Sequence, residues 1–331
     1  DAAAHGATNA RLPVATFARL QAVAHWSADA EGWRLDASKM QVHAEAGSTP
    51  QKLDGLVLAG GKRYGLRAER IDAGPLFAVA ALSDRLDPGL RRWLTAAKPG
   101  AVLELVRVGG LRGGAMTAQA TVRGLQFAAL GDSPGISGLS GALRGDGDAL
   151  AFDFDPASKM RFDWPRGFGV THVVGLRGEA VGWREGGGWR VETPALRIDG
   201  EGYGADVRGG LWFEGDGTAP KIDIAAELDD AAAPVAKKFW PKHVMSRGLI
   251  DWLDTALIAG QVRDGRALIV GDLDDWPFKT VAGAPPKGVF DARATLENMR
   301  VKFHRDWPAT SDMDAEIAFI GNGFSVGGKA V

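Results

Sequence analysis

From Lys221 to Leu228 the even positions Ile222, Ile224, Ala226 and Leu228 are apolar, while the odd ones are mostly charged or small. A period of two predicts a strand with one wet face. The same pattern sets Leu150, Phe152 and Phe154 against Ala151, Asp153 and Asp155, and Trp189 with Val191 against Arg190 with Glu192. From Phe290 to Leu296 the alternation continues, slips by one residue at Asn298, and resumes with Met299, Val301 and Phe303. Such a slip predicts a bulge or turn at Glu297-Asn298. Between the runs lie Gly145-Asp146-Gly147-Asp148, Glu185-Gly186-Gly187-Gly188, Glu214-Gly215-Asp216-Gly217 and Gly321-Asn322-Gly323. All four suit tight hairpins, and a meander of antiparallel strands follows.

Helical signals are few. Asp87-Pro88 forms an N-cap and first-turn pair before a stripe of Leu90, Trp93 and Leu94, closed by Pro99-Gly100. Ser246 caps a second stretch with Leu249, Ile250, Trp252, Leu253 and Leu257 apolar and Gly260 at its end, preceded by a shorter turn around 234–239. The expected class is all-β with a few short helices.

The pattern also repeats. Gly32-Trp33-Arg34-Leu35 with Met40 and Val42 matches Gly188-Trp189-Arg190-Val191 with Leu196 and Ile198, at a spacing of 189 − 33 = 156. The stretch from Asp87 to Leu94 matches that from Ser246 to Leu253 (252 − 93 = 159), and Thr121, Leu125, Asp132 and Pro134 match Thr295, Met299, Asp306 and Pro308 (295 − 121 = 174). Three colinear blocks predict two copies of one unit, residues 1–145 with a helix near 87–98 and residues 146–331 with helices near 234–259. Stacked copies of a sheet unit make an elongated object held mainly by neighbour contacts. The last residues begin a new alternation, so the chain reads as a piece of a longer protein.

Composition narrows the chemistry. Lys+Arg 39 against Asp+Glu 41 leaves a net charge of −2, which offers no bulk attraction to nucleic acid. The chain has no cysteine, hence no disulfide, thiolate metal site or thiol nucleophile. It has no run of 18 apolar residues, and its first residues show no basic stretch followed by an apolar one, so neither a membrane span nor a signal peptide is expected within them. The histidines His5, His25, His43, His172, His243 and His304 form no ligand pair at short spacing and read as surface or strand-end residues, so no metal or other cofactor is expected. Asp272-Leu273-Asp274-Asp275 lacks the glycine and distal glutamate of a calcium loop and reads as an acidic turn. Neither serine of Gly135-Ile136-Ser137-Gly138-Leu139-Ser140-Gly141 has glycine at both −2 and +2, and Gly202-Tyr203-Gly204 lacks a third glycine at Val207. Asp153 and Asp155 share a wet strand face without a partnered base. No enzyme is predicted.

From Phe239 onward the residues become distinctive. Phe239-Trp240-Pro241, Val244-Met245-Ser246, the Trp252-Leu253 pair, Gly260, the stretch from Gly271 to Phe278, Gly288-Val289-Phe290 and Asp306-Trp307-Pro308 resemble, in order, the signature of the YhdP branch of the bacterial AsmA-like proteins. Trp276 departs from it, standing where Phe is more usual. The resemblance is specific over about 136–331. It implies a large envelope protein anchored in the inner membrane by a segment outside this chain. Its periplasmic part would be an elongated, curved antiparallel sheet forming a gutter-like apolar groove, along which phospholipid acyl chains pass between the inner and outer membranes. No catalytic residues come with it.

The alternation makes such a groove reasonable: one face of the sheet is apolar and two clear helices cannot cover it. The sheet either closes on itself as a packed sandwich or leaves an apolar channel. Residues placed on the channel face are Phe152, Phe154, Ile222, Ile224, Leu228, Phe290, Leu296, Val301 and Phe303. Trp93, Leu94, Trp252 and Leu253 on the two helices are candidates for a plug. Three functions stand open: a lipid conduit with an open groove, a structural or assembly scaffold of the envelope with a filled interior, and a carbohydrate-active protein with tryptophans beside carboxylates in a cleft.

Overall fold

In a computed structural model, residues 16–329 are described apart from 85, 87, 216, 217, 244, 279–282, 284 and 322. Eighteen strands form one sheet. The first half runs β1 (Arg19–Ala28), β2 (Gly32–His43), β3 (Gln51–Gly61), β4 (Arg63–Asp72), α1 (Gly74–Ala80), α2 (Pro88–Ala97), β5 (Gly100–Leu111), β6 (Met116–Phe127), β7 (Gly135–Gly145), β8 (Ala149–Phe154) and β9 (Met160–Asp163). The second runs β10 (Thr171–Glu185), β11 (Gly188–Gly200), β12 (Tyr203–Phe213), β13 (Lys221–Leu228), β14 (Ala231–Ala232), a 3₁₀ helix (Ala233–Phe239), α3 (Arg247–Ala256), β15 (Leu257–Asp272), a 3₁₀ turn (Leu273–Asp275), β16 (Gly288–Val301), β17 (Met313–Ile320) and β18 (Gly323–Lys329).

Every pairing is antiparallel and joins near neighbours in sequence. The short strands β8 and β9 share one position between β7 and β10, and β13 and β14 both pair with β15. The two longest excursions from this meander carry the helices: α1 and α2 lie between β4 and β5, and the 3₁₀ helix and α3 lie between β14 and β15. Helices therefore gather at one end of the strands. The other end is made largely of tight turns, among them Gly145-Asp146-Gly147-Asp148 and Glu185-Gly186-Gly187-Gly188, as the glycines and aspartates there predict.

Several bulges interrupt the ladders, and four of them bear on the repeated pattern. In β5 the register shifts between Glu104 and Arg107, where Leu105 has φ 53°; in β15 it shifts between Arg263 and Arg266, where Asp264 has φ 52°. In β6 the shift falls at Gly124 (φ 61°) and in β16 at Asn298 (φ 51°), the site where the alternation slips. Each inserts one residue, so the apolar positions beyond it return to the same face.

The Ser246 hydroxyl caps α3 by accepting from the Leu249 N–H at 3.3 Å. The helix is shorter than the sequence reading, which carried it through Leu257 to Gly260. It ends at Ala256 because Leu257 is already extended and paired with Val301. Helix α1 had no sequence prediction: it is seven residues long, opened by Pro75, with no side-chain cap. Asp87, proposed as a cap, lies outside the described residues, as do Asp216, Gly217, Val244 and Asn322 in the predicted turns and signature.

Two small clusters make the core. One joins Ala37, Val42, Leu53, Leu56, Ala68, Ile71 and Val106 across β2 to β5. The other joins Ala233 and Ala256, at the ends of helices, to Met299 and Val301 of β16. Met299 stands alone as a large side chain under 2 % exposed among the described residues.

Candidate functional site

Directly opposed residues of an antiparallel pair project from the same face, so the registers trace each face across the sheet. One row starts at Trp26 in β1 and passes through Leu35, Leu58, Leu66, Val108 and Ala118 in β2 to β6. It continues through Gly145, Leu150, Gly182, Val191, Leu211 and Ile222, and ends at Gly271 and Gly288. Every position is apolar or glycine. A parallel row carries Ile224, Ile269 and Phe290, and a third joins Ala292, Phe319 and Phe324 at the far edge.

The opposite face has another character. Asp36, Arg67, Arg107, Gln119, Arg144 and Glu192 lie along one of its rows, interrupted by Val57, Ala151 and Val181, and ion pairs cross-link its strands. Arg144 reaches Asp153 at 3.0 Å and Glu179 at 3.5 Å. Arg197 binds Asp229, Asp199 and Asp206, and the contacts with Asp229 and then Asp199 raise its pKa further. The Arg197 guanidinium holds the Asp229 carboxyl below the usual carboxylate range; Arg177 and then Arg197 do so for Asp199. Water-facing pairs of this kind add little stability singly, but they keep this face wet.

The apolar face is only partly covered. Leu150 and Val191 are 38 % and 39 % exposed, and Leu228 and Phe319 reach 46 % and 40 %. The molecule exposes 21094 Å² in all, against about 13,000 Å² expected for a compact monomer of its mass. At the turn end the buried Phe278 ring lies on Gly271 and Gly288, and Trp276 meets Phe290 edge-on at 5.1 Å; the remaining cover is at the helix end. There Trp93 of α2 meets the Phe127 ring edge-on at 5.3 Å, and Leu94 is buried. In the second half Trp252 of α3 donates its indole N–H to the Phe303 carbonyl at 2.9 Å, and Leu253 is half-buried.

The sequence-derived residues fall into three settings. Phe152, Phe154, Ile222, Ile224, Leu228, Phe290 and Leu296 lie on this one face, with the Phe152 and Phe154 rings 5.2 Å apart edge to face. Val301 shares the face but is 6 % exposed beneath the helices. Phe303 lies past the end of β16, 46 % exposed. Sequence reading left out Trp26, Leu35, Leu58, Leu66 and Val108, although the alternation of Trp33 and Leu35 with Arg34 and Asp36 carries the same signal.

His172, read from sequence as a surface or strand-end residue, is at a strand end but 6 % exposed. Its Nδ1 lies 3.0 Å from the Tyr203 hydroxyl, its ring stacks on Phe239 at 4.7 Å, and Nε2 has no hydrogen-bond partner. Burial pushes its pKa down. Tyr203, Phe239 and Phe168 surround it, so the Phe239-Trp240-Pro241 segment leading to α3 is pinned to the sheet here.

Among the described residues no group of three or more histidines and carboxylates is placed to hold a metal ion. No helix among them is long and apolar enough to cross a membrane.

The geometry is that of a single antiparallel sheet with one continuous, incompletely covered apolar face. The sequence model of the YhdP protein family matches residues 4–329, and the chain belongs to that family. It is similar to the intermembrane phospholipid transporter YhdP of Escherichia coli (strain K12), with 24% identity over 141 residues, which make up 41% of this chain and 11% of that protein. No solved structure matches the chain.

Proposed function

We propose that the chain is a non-enzymatic, periplasmic segment of a bridge-like lipid transporter, shielding phospholipid acyl chains on its apolar face as they pass between the inner and outer membranes. Anchorage to the inner membrane would come from a segment outside this chain. The observation that carries the reading is the unbroken apolar row from Trp26 to Gly288, which crosses the sheet perpendicular to its strands. An acyl chain lying there would regain about 0.8 kcal/mol for each methylene removed from water, while sliding along a uniform face would cost little. The similarity to a phospholipid transporter supports the same choice of cargo.

Within this reading residues 1–145 and 146–331 are two copies of one unit, and their helices, through Trp93, Leu94, Trp252 and Leu253, plug one side of the groove. The test is to purify the chain, extract it with organic solvent and identify bound lipid by mass spectrometry, beside an Ile224→Asp variant. Stoichiometric phospholipid in the wild type, lost from a variant that keeps its β-sheet circular dichroism, is expected. A lipid-free wild type with a cooperative melt would overturn the conduit in favour of a scaffold.

A further inference from the structure

The two outer edges of the sheet match a junction inside it. β1 pairs with β2 in the register that joins β10 to β11. Ala28 opposes Trp33 as Arg184 opposes Trp189 (184 − 28 = 156, 189 − 33 = 156), Ala22 opposes Met40 as Gly178 opposes Leu196, and both ladders shift between these points. β17 and β18 repeat the register of β7 and β8 in the same way. Phe319 opposes Phe324 as Gly145 opposes Leu150 (319 − 145 = 174, 324 − 150 = 174).

The inner members of this match are joined to each other. β8 pairs with β10, setting Gly182 against Leu150, Val181 against Ala151 and Ala180 against Phe152. The corresponding edges of β18 and β1 take no strand among the described residues, since β1 pairs with β2 and β18 with β17. Moved by the two spacings, the internal junction becomes Trp26 against Phe324, His25 against Ser325 and Ala24 against Val326 (182 − 156 = 26, 150 + 174 = 324).

Neither edge is guarded. Residues 20–28 and 323–328 contain no Lys, Arg, Asp, Glu or Pro, the residues that usually discourage pairing at a sheet edge. At the internal junction Asp153 opposes Glu179 and Arg144 binds both. The transposed pair is Gly327 and Val23, which brings no charge together. Trp26 and Phe324 are 57 % and 74 % exposed, whereas Leu150 at the internal junction is 38 % exposed.

We infer that β18 receives β1 of a second copy of this chain, antiparallel and in the transposed register. The unpaired N–H and C=O groups of both edges then find partners, and the apolar face runs on from Phe319 and Phe324 to Trp26 and Leu35 of the next copy. Each copy offers one edge of each kind, so the contact is head-to-tail and adds copy to copy. The inference shares the two-unit reading with the proposed function and is independent of its cargo.

The chain has no cysteine, so His25→Cys with Ser325→Cys supplies the two thiols needed, both at exposed positions. Treated with a short bismaleimide, this variant should give a ladder of dimers, trimers and longer species on a denaturing gel, growing with protein concentration. Adding Ala24→Lys with Val326→Lys, which sets two ammonium groups against each other across the contact, should abolish the ladder while circular dichroism and melting temperature hold. Arg19→Cys with Ser325→Cys lies six residues out of register (25 − 19 = 6), about 20 Å along the strand, and should give none. No ladder, an equal ladder from the out-of-register pair, or a ladder that survives the two lysines would overturn the inference. So would dimers from either single-cysteine variant, which would pair like edges, or cross-links held within one copy. The readout involves no lipid: a lipid-free chain that still ladders sinks the conduit alone, and a lipid-bearing chain that does not ladder sinks this contact alone.

Discussion

Leu105 and Asp264, 264 − 105 = 159 residues apart, are both left-handed, at φ 53° and 52°, and each sits in the bulge of the strand that follows a helix excursion. Gly124 and Asn298, 298 − 124 = 174 apart, stand in the same relation one strand later. The two spacings equal those that relate Trp93 to Trp252 and Thr121 to Thr295 in the sequence. A bulge needs a residue able to take the left-handed conformation; Gly124 and Asn298 tolerate it, whereas Leu105 strongly and Asp264 more weakly resist it.

Leu105→Gly and Asp264→Gly should therefore each stabilise the fold, by about 0.5–1 kcal/mol, as relief of the left-handed penalty exceeds the added chain entropy of glycine. Leu105 is 65 % exposed, so little packing is lost. Urea midpoints measure the effect, and a drop of 1 kcal/mol or more at Leu105 would mean that its side chain holds a contact this account lacks.

Met299→Ala should cost about 2–4 kcal/mol, because the side chain is buried between β16 and the ends of the helices. A Cβ on Gly260 (φ 130°) would fall 2.9 Å from Met299 Cα. Gly260→Ala should thus destabilise the chain even in the Met299→Ala background, since the obstacle is backbone. Thermal melts of the two single variants and the double separate these effects.

Arg197→Ala should weaken the fold in a pH-dependent way. The carboxyls of Asp229 and Asp199 are held below their ordinary range, so they contribute stability above the unfolded carboxylate pKa, about 4, and lose it as pH falls through their folded values. Wild type and variant should differ in urea midpoint at pH 7 and converge toward pH 2. A gap that persists at pH 2 would assign the effect to packing of the arginine stem.

His172 predicts a pH response in a higher window. Its folded pKa lies below the ordinary value, about 6.5, so its contribution is complete above that pH and declines as pH falls through the folded value. Burial is the main cause; a hydrogen bond with the Lys238 backbone opposes it and the Lys238 charge reinforces it, while Tyr203 faces the ring from β12. Stability should fall between pH 7 and 5 in the wild type, and His172→Phe should flatten that part of the profile. An unchanged slope in the variant would locate the titration elsewhere.

The strand meander, the paired turns, the bulge at Asn298 and the capped α3 were legible in the residues because each rests on local chemistry: a period of two, glycine at left-handed positions, a hydroxyl before a helix. The common face of Phe152, Ile224 and Phe290 was legible for a related reason. In a simple meander of near neighbours, alternation along each strand nearly settles which face a side chain takes.

What lay beyond the sequence depended on contacts between segments far apart. Alternation assigns Val301 and Ile224 alike to an apolar face, yet Val301 lies under Ala233 and Ala256 while Ile224 remains half-buried. His172 looks like any polar strand end until Phe239 stacks on it from 67 positions along the chain (239 − 172 = 67). Local pattern sets which way a side chain points; whether another segment lies over it is a matter of long-range packing, decided by the helices settling on one end of the sheet and by Trp276 and Phe278 covering Phe290, Gly271 and Gly288 at the other.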